Sequence, residues 1–393
     1  MQHLDYLSND GTATRMNQRR NTSPFECVAL LLQGGGALGA YQGGVYQALA
    51  EADLHPDWVA GISIGAINAA IVAGNPPEKR VARLREFWEE ITSMPGWDWL
   101  SNSLLHVVET DGIRDTLNQI SAGFALAAGA ANMFVPRFVS PWLQPSGSLA
   151  ATSYYDTAPL KATLERLVDF DRLNNGEMRL SAGAVNVRTG NFEYFDTLSK
   201  RLGPEHIMAS GALPPGFPAI EIAGEYYWDG GLVSNTPVQW ALEQGLRQDM
   251  LAFEVDLWSA RGPFPRSMAE VTVRQKEILY SSRTRDNTDQ FKKLQCVRHR
   301  IAKVLIILPE EAMSSEDVQH LARLADEKVY NLVHLIYRSK NYEGQSKDYE
   351  FSRRSMDDHW QAGYRDTKLT LGHPEIFERP QDHDGVQVFD FGA

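Results

Sequence analysis

An α/β fold organised on a parallel sheet is what this sequence predicts, and three observations predict it. Short runs of continuous hydrophobicity recur at strand length. Segments of helical period alternate with them, and glycine clusters mark the junctions where strand gives way to helix. Continuous rather than alternating apolar residues suit strands covered on both faces.

The first such run is Cys27–Gln33 (CVALLLQ), closed by Gly34-Gly35-Gly36. After Gly39 the period turns helical. Tyr41, Val45, Tyr46, Leu49 and Leu54 fall near three-four spacing until His55-Pro56 stops the helix. Trp58–Ile62 is the second strand, Ser63 opens a helix over Ile64–Ala73, and Gly74-Asn75-Pro76-Pro77 ends it. Strand, helix, strand, helix at this spacing makes a right-handed βαβ unit. Further on, Arg179–Val187 turns through Arg188-Thr189-Gly190-Asn191 into Phe192–Phe195. Tyr226–Trp228 runs into Asp229-Gly230-Gly231, and Met250–Leu257 is another buried strand. Ser93–Ser153 is rich in Trp and Gly with poor periodicity, which indicates a long insertion. Beyond about residue 259, Arg266–Ile301 and Ser314–Lys340 read as long charged amphipathic helices, with Lys303–Leu308 a strand between them. Ser314-Ser315-Glu316-Asp317 has the composition of a helix start.

Composition narrows the function. A chain of 393 residues suggests two to three domains, and 43% hydrophobic with 22% charged residues is ordinary for a globular protein. A formal charge of −12 excludes nucleic acid as a partner, because no excess of Lys or Arg is available to neutralise phosphates. It equally disfavours docking by general attraction to anionic lipid. Cys27 and Cys296 are the only cysteines, so no disulfide framework is expected and a reducing compartment fits. Residues 1–24 carry Arg15, Arg19 and Arg20 without an apolar core, and Val28–Leu32 is too short to serve as one. They read as a flexible tail on a cytoplasmic protein. The most apolar window, Ala122–Val135, has 14 residues and falls short of the ~20 that span a bilayer.

Three ordered motifs carry the chemistry. Gly61-Ile62-Ser63-Ile64-Gly65 sits between an apolar strand and an Ala-rich helix, so Ser63 is a candidate nucleophile on a sharp strand-to-helix turn. The helix end-field favours an alkoxide there; a plain serine N-cap is the competing reading. Gly34-Gly35-Gly36 lies 27 residues upstream of Gly61, and side-chain-free backbone can turn N–H groups into a cavity as oxyanion donors. The same stretch, Gly34-x-Gly36-x-x-Gly39, also matches a dinucleotide fingerprint. That reading needs an acidic residue ending the second strand, where Ser63 stands instead, with Asp57 at the strand's start. Asp229, on the turn of Asp229-Gly230-Gly231, is the candidate base, against an ordinary Asp-Gly turn. Downstream of Asp229 come His299, His320, His334, His359, His373 and His383, none in a glycine-framed loop, so a serine–aspartate pair competes well with a triad.

These motifs resemble the patatin-like phospholipase family. Its pattern is a glycine-rich loop, a G-x-S-x-G elbow one βα unit later, and a D-G-G/A ending a downstream strand. Here these are Gly34–Gly39, Gly61–Gly65 and Asp229–Gly231, in that order. The stretch His206–Pro237, with Ala209-Ser210-Gly211-Ala212 and the prolines before Phe217, is similar to the family's aspartate-bearing segment. The resemblance covers about residues 25–260. It implies a three-layer α/β/α sandwich and hydrolysis of lipid acyl esters by a Ser–Asp dyad through an acyl-enzyme, with no cofactor and no metal. It makes Ser63 the nucleophile and Asp229 the base, with the N–H groups of Gly34, Gly35, Gly36 and Ile64 forming the oxyanion hole. Gly39, Gly61, Gly65, Gly230 and Gly231 are then the motif glycines. Burial beside Trp228 is expected to raise the Asp229 pKa. The family's loop often carries Arg or Lys just before its last glycine, where this chain has Leu38, which turns attention from phospholipids to other esters.

The implied layout is a tail over 1–24, a hydrolase domain over 25–260 and a largely helical C-terminal extension over 261–393. Residues 93–153 form the insertion. Within the extension, the run from Tyr342 to Tyr349 is similar to an uncharacterised domain of some bacterial patatin-like proteins. Ala122–Phe138 reads as a buried helix, with a lid as the alternative, and Trp88, Trp97 and Trp99 read as core rather than acyl-pocket wall. Arg298-His299-Arg300 reads as a solvated helix face. The expected partner is a lipid or other acyl ester, with peripheral membrane contact the one membrane association left open. The alternatives are an esterase or thioesterase for soluble or polyester-type substrates, and a non-catalytic scaffold working through residues 261–393.

Overall fold

The computed structural model describes residues 24–93, 111–243, 247–340, 343–380 and 385–391. Nearly all of the expected tail over 1–24, residues 94–110 of the insertion with Trp97 and Trp99, Tyr342 and His383 lie outside them. The chain runs β1 (Cys27–Leu32), α1 (Ala40–Glu51), β2 (Trp58–Ile62), α2 (Ile64–Ala73) and α3 (Pro77–Ile91). There follow α4 (Asp111–Ala128), β3 (Val135–Pro136), β4 (Tyr155–Asp156), α5 (Ala158–Leu167), α6 (Phe170–Leu173), β5 (Arg179–Asn186) and β6 (Phe192–Asp196). Next come α7 (Pro204–Ser210), β7 (Ile220–Ile222), β8 (Glu225–Asp229), α8 (Val238–Glu243) and β9 (Met250–Asp256). The C-terminal part adds α9 (Met268–Ile307), α10 (Glu316–Leu324), β10 (Tyr330–Ile336), α11 (Arg353–Leu371) and β11 (Val386–Asp390).

One sheet organises these elements, in the order β11-β10-β9-β1-β2-β5-β8-β7, with β6 also on β5. Strands β11 through β5 are parallel to one another, β6 and β8 pair antiparallel to β5, and β7 pairs antiparallel to β8. The two faces of β1 show why the fold has three layers. Val28, Leu30 and Leu32 join one apolar cluster with α1, α2 and α3 and with Met356 and Trp360 of α11. Cys27, Ala29 and Leu31 join a second with Val238 and Ala241 of α8 and Phe291 of α9. Helices therefore cover both faces, as continuous rather than alternating hydrophobicity requires.

The C-terminal third corrects three expectations. Lys303–Leu308 is not a strand: α9 runs unbroken over 40 residues to Ile307, and the restriction that Pro309 places on Leu308 ends it. Ser314–Lys340 is not one long helix, because α10 stops at Leu324 and Tyr330–Ile336 enters the sheet between β9 and β11. A continuous apolar run shows no period that separates strand from helix, and the free sheet edge of β9 decides which one pairs. His299 is not on a solvated face either: it is buried, with Nε2 2.9 Å from the Lys328 carbonyl oxygen.

Helix α11 locks onto α1 by close backbone approach. A Cβ on Gly44 would fall 1.9 Å from the Trp360 carbonyl oxygen, and one on Gly363 would fall 2.0 Å from that of Tyr41. Two tyrosine hydroxyls extend the contact, Tyr41 to Asp366 at 2.9 Å and Tyr364 to Glu51 at 2.8 Å. Gly44→Leu is therefore expected to cost about 3 kcal/mol or more by prising the helices apart, measured by urea unfolding against wild type.

Candidate active site

Ser63 lies between the last residue of β2 and the first of α2, with φ 55° and ψ −125°. A non-glycine residue in that region stores on the order of 1–3 kcal/mol and needs surroundings that hold it there. The surroundings are explicit. A Cβ on Gly61 would meet the Gly65 carbonyl group at 2.3 Å, and one on Gly65 would meet the Leu32 carbonyl oxygen at 2.3 Å, so β1, β2 and α2 pass too close for side chains. The Ser63 N–H donates to Ser210 Oγ at 3.0 Å, and that hydroxyl donates to the Gly183 carbonyl at 2.6 Å. The Ser63 side chain makes no capping bond to its own helix, which removes the plain N-cap reading.

Asp229 ends β8 and is buried. Strand register delivers it: neighbouring residues of β5, Gly183 and Ala184, pair with Ile62 and Asp229 respectively. Its Oδ1 accepts the Gly231 N–H at 2.7 Å, and the Ser63 hydroxyl also bonds to it. Burial pushes its pKa up to about 6, partly offset by that hydroxyl and the Gly231 N–H.

The glycine loop lies beside them, where a Cβ on Gly34 would come within 3.1 Å of Ser63 Cβ. Its three N–H groups are not equivalent, which corrects one expectation. The Gly34 N–H donates to the Asn235 carbonyl at 3.2 Å and is occupied. The Gly34 carbonyl in turn accepts from Asn235 Nδ2 at 2.9 Å and Trp258 Nε1 at 3.0 Å. The N–H groups of Gly35, Gly36 and Ile64 have no acceptor among the described residues. Leu38 is fully buried in the core, so a cation is not simply missing from the loop; its side chain faces away from solvent. The dinucleotide reading also falls, since Asp57 is taken up by the Val28 N–H at 2.9 Å at the opposite end of β2.

These groups line a cavity of about 330 Å³ whose walls are mainly apolar, including Ile67, Met133, Phe134, Leu160, Met208 and Phe217. No Lys, Arg or His lines it among the described residues. Ala122–Phe138 is not one buried helix: α4 ends at Ala128, Val135-Pro136 pairs as β3, and although Ala122 and Ala125 are buried, Phe124, Leu126 and Phe138 are exposed. Trp88 is core, its Nε1 donating to Asn68 Oδ1 at 3.0 Å. Asn68 in turn donates to the Gly39 carbonyl and to Gln42, and Gln42 to the Gln33 carbonyl, so a buried polar chain pins the loop from below.

The C-terminal residues reach this cavity as well. Tyr280, Asp348, Tyr349 and Phe351 line it. The Asp348 carbonyl accepts the Ala37 N–H at 2.8 Å and lies 2.1 Å from where a Cβ on Gly36 would stand, at a φ of +55°. Lys276 Nζ holds the Asp348 carboxylate at 2.8 and 2.9 Å, and the buried Lys347 Nζ holds Glu277 at 2.8 Å. Ser210, Asn235, Trp258 and Asp348 were thus invisible as site residues, although Ser210 and Asn235 fall inside the stretch His206–Pro237. Their signal is backbone contact, which residue type alone does not carry.

The family model of patatin-like phospholipases matches residues 30–242, over half of the chain. The chain belongs to the patatin-like phospholipase family. A second model, described as patatin phospholipase, matches residues 278–383, the segment that brings Tyr280 and Asp348 to the cavity. Membership makes the chain a lipid acyl hydrolase. Among solved structures it is similar to VipD from Legionella pneumophila, at 16% identity and TM-score 0.40, over 94% of this chain and 72% of that one. It is also similar to the ExoU–SpcU complex of the type III secretion system of Pseudomonas aeruginosa, at 16% identity and TM-score 0.26, over 76% of this chain and 58% of that one. No curated protein matches it.

Two outcomes are expected of this patatin-like site. The folded Asp229 carboxyl binds its proton more tightly than an ordinary aspartate, so its ionisation costs stability increasingly as pH rises from about 4 through about 6. Asp229→Asn should therefore be more stable than wild type at pH 8, by on the order of 1–3 kcal/mol, with the gain shrinking towards pH 4; urea unfolding at both pH values checks it. Lys276→Ala should lower kcat roughly three- to tenfold with little change in KM, and Lys276→Arg should restore it, because the pair it breaks positions the loop rather than the substrate.

Proposed function

We propose that this patatin-like hydrolase cleaves acyl esters through Ser63 and Asp229, forming an acyl-enzyme. The observation that carries the reading is the strained Ser63 turn facing a buried carboxyl at the wall of an apolar cavity. The Ser63 oxygen attacks the ester carbonyl carbon while its proton passes to Asp229. The N–H groups of Gly35, Gly36 and Ile64 receive the developing oxyanion, aided by the positive end of α2. As the tetrahedral intermediate collapses, Asp229 returns the proton to the leaving alcohol. Water then attacks the acyl-enzyme with Asp229 again as base, releasing the carboxylic acid and Ser63. A base with a pKa near 6 retains more proton affinity than an ordinary aspartate yet is ionised at neutral pH.

The apolar wall suits an acyl chain. With no cation on the lining among the described residues, recognition rests on the chain and the ester carbonyl rather than on a headgroup phosphate. This favours breadth towards neutral and soluble esters over strict phospholipid preference. The C-terminal residues contribute to the cavity, which weighs against a scaffold that works through them alone.

A fluorophosphonate probe should label wild type and leave Ser63→Ala unlabelled, while both Ser63→Ala and Asp229→Asn lose at least ~10³-fold in ester turnover. The kcat/KM profile should show an acid limb with apparent pKa about 6. Full turnover by Ser63→Ala would overturn the mechanism. A folded, unlabelled wild type would favour the scaffold.

A further inference from the structure

The cavity opens beneath an unusual surface. Leu126 and Leu213 both line it and are exposed, so its apolar wall runs out into solvent. Beside them the chain from Met133 to Tyr154 rises as a ridge. Phe138 is fully exposed, Trp142 is 84% exposed and Leu143 79%. Val135, Val139 and Leu149 are exposed as well.

This ridge is anchored. β3 pairs with β4, the Arg137 N–H donates to the Tyr154 carbonyl at 3.0 Å, and the Tyr154 and Tyr155 N–H groups donate to Pro215 and Gly216. At its base, Phe134 packs against Tyr155 and Phe217, all three in the cavity wall. Its sequence holds a single charge, Arg137, and that is turned inward onto Ser153 and Asp156. Exposed tryptophan, phenylalanine and leucine on a fixed, uncharged support cost free energy in water and suit the boundary between headgroups and acyl chains.

We propose that the 135–149 ridge docks this hydrolase onto a lipid surface of no net charge, with the cavity mouth facing the acyl chains. Charge selects that occupant. The chain carries −12 overall and the ridge offers no exposed Lys or Arg, so an anionic surface would repel it without compensation. Continuity with the cavity gives the docking a purpose, because a substrate acyl chain could pass from lipid to Ser63 along an apolar path. The proposal rests on the acyl-hydrolase reading for that purpose, but not for the binding itself.

Co-sedimentation with phosphatidylcholine vesicles tests it. Wild type and Ser63→Ala should bind equally, and binding should persist at high salt. Phe138→Ser/Trp142→Ser should lower the vesicle-bound fraction at least tenfold, while turnover of a soluble short-chain ester stays within twofold of wild type. The Trp142 emission lost in that variant should be blue-shifted by vesicles in wild type. Failure of wild type to sediment would overturn the docking, as would undiminished binding by the variant. So would a wild-type dimer that the variant converts to monomer, since a second copy would then be what covers the ridge. A wild type that binds vesicles but hydrolyses no ester would leave the docking standing and sink the mechanism instead.

Discussion

Everything at the site depends on how closely β1, β2 and α2 cross. Gly61 and Gly65 leave no room for a Cβ between strand and helix, and the carbonyl groups of Leu32 and Gly65 fill the space instead. With that spacing fixed, Ser63 has to make its turn in one residue and adopts a positive φ. The strain cannot relax, because α2 is buried on every side and β2 is held between β1 and β5. Core burial thus holds a local conformation that the serine would not choose alone.

Charge follows the same logic. Lys347 is buried but paired with Glu277, so its desolvation is compensated by an opposite charge. Among the described residues Asp229 is met by a hydroxyl and a backbone N–H rather than by a cation, and burial shifts its proton affinity upward as a result. The residue proposed to do the chemistry is the less well compensated of the two. The network that holds the glycine loop, from Gln33 and Asn68 to Trp258 and Lys276, is by contrast well supplied with partners.

Legibility in the sequence tracks how local each signal is. β1, β2 and α2 can be bounded to within a residue, because glycines and prolines punctuate continuous apolar runs. Ser63 and Asp229 stand out for a related reason: glycines frame both, and the structure brings the two together. The C-terminal third is less readable. The apolar end of α9 and the strand β10 look alike by period, and only the distant edge of β9 separates them. Asn235, Ser210 and Asp348 act on or through backbone groups, and no residue pattern reports where a carbonyl will point. The occupied Gly34 N–H belongs to the same class.

The order of strands across the sheet has a further consequence for how the protein is made. β1, translated first, lies between β2 and β9, and β9 in turn needs β10 and β11 from the far end of the chain. During synthesis the early βαβ unit emerges with one flank bare, and α1 waits for α11, more than 300 residues later, to cover it. The fold can therefore close only once β10, β11 and α11 have emerged. Until then a parallel edge and an apolar helix face stay exposed, the kind of surface on which a holding chaperone acts.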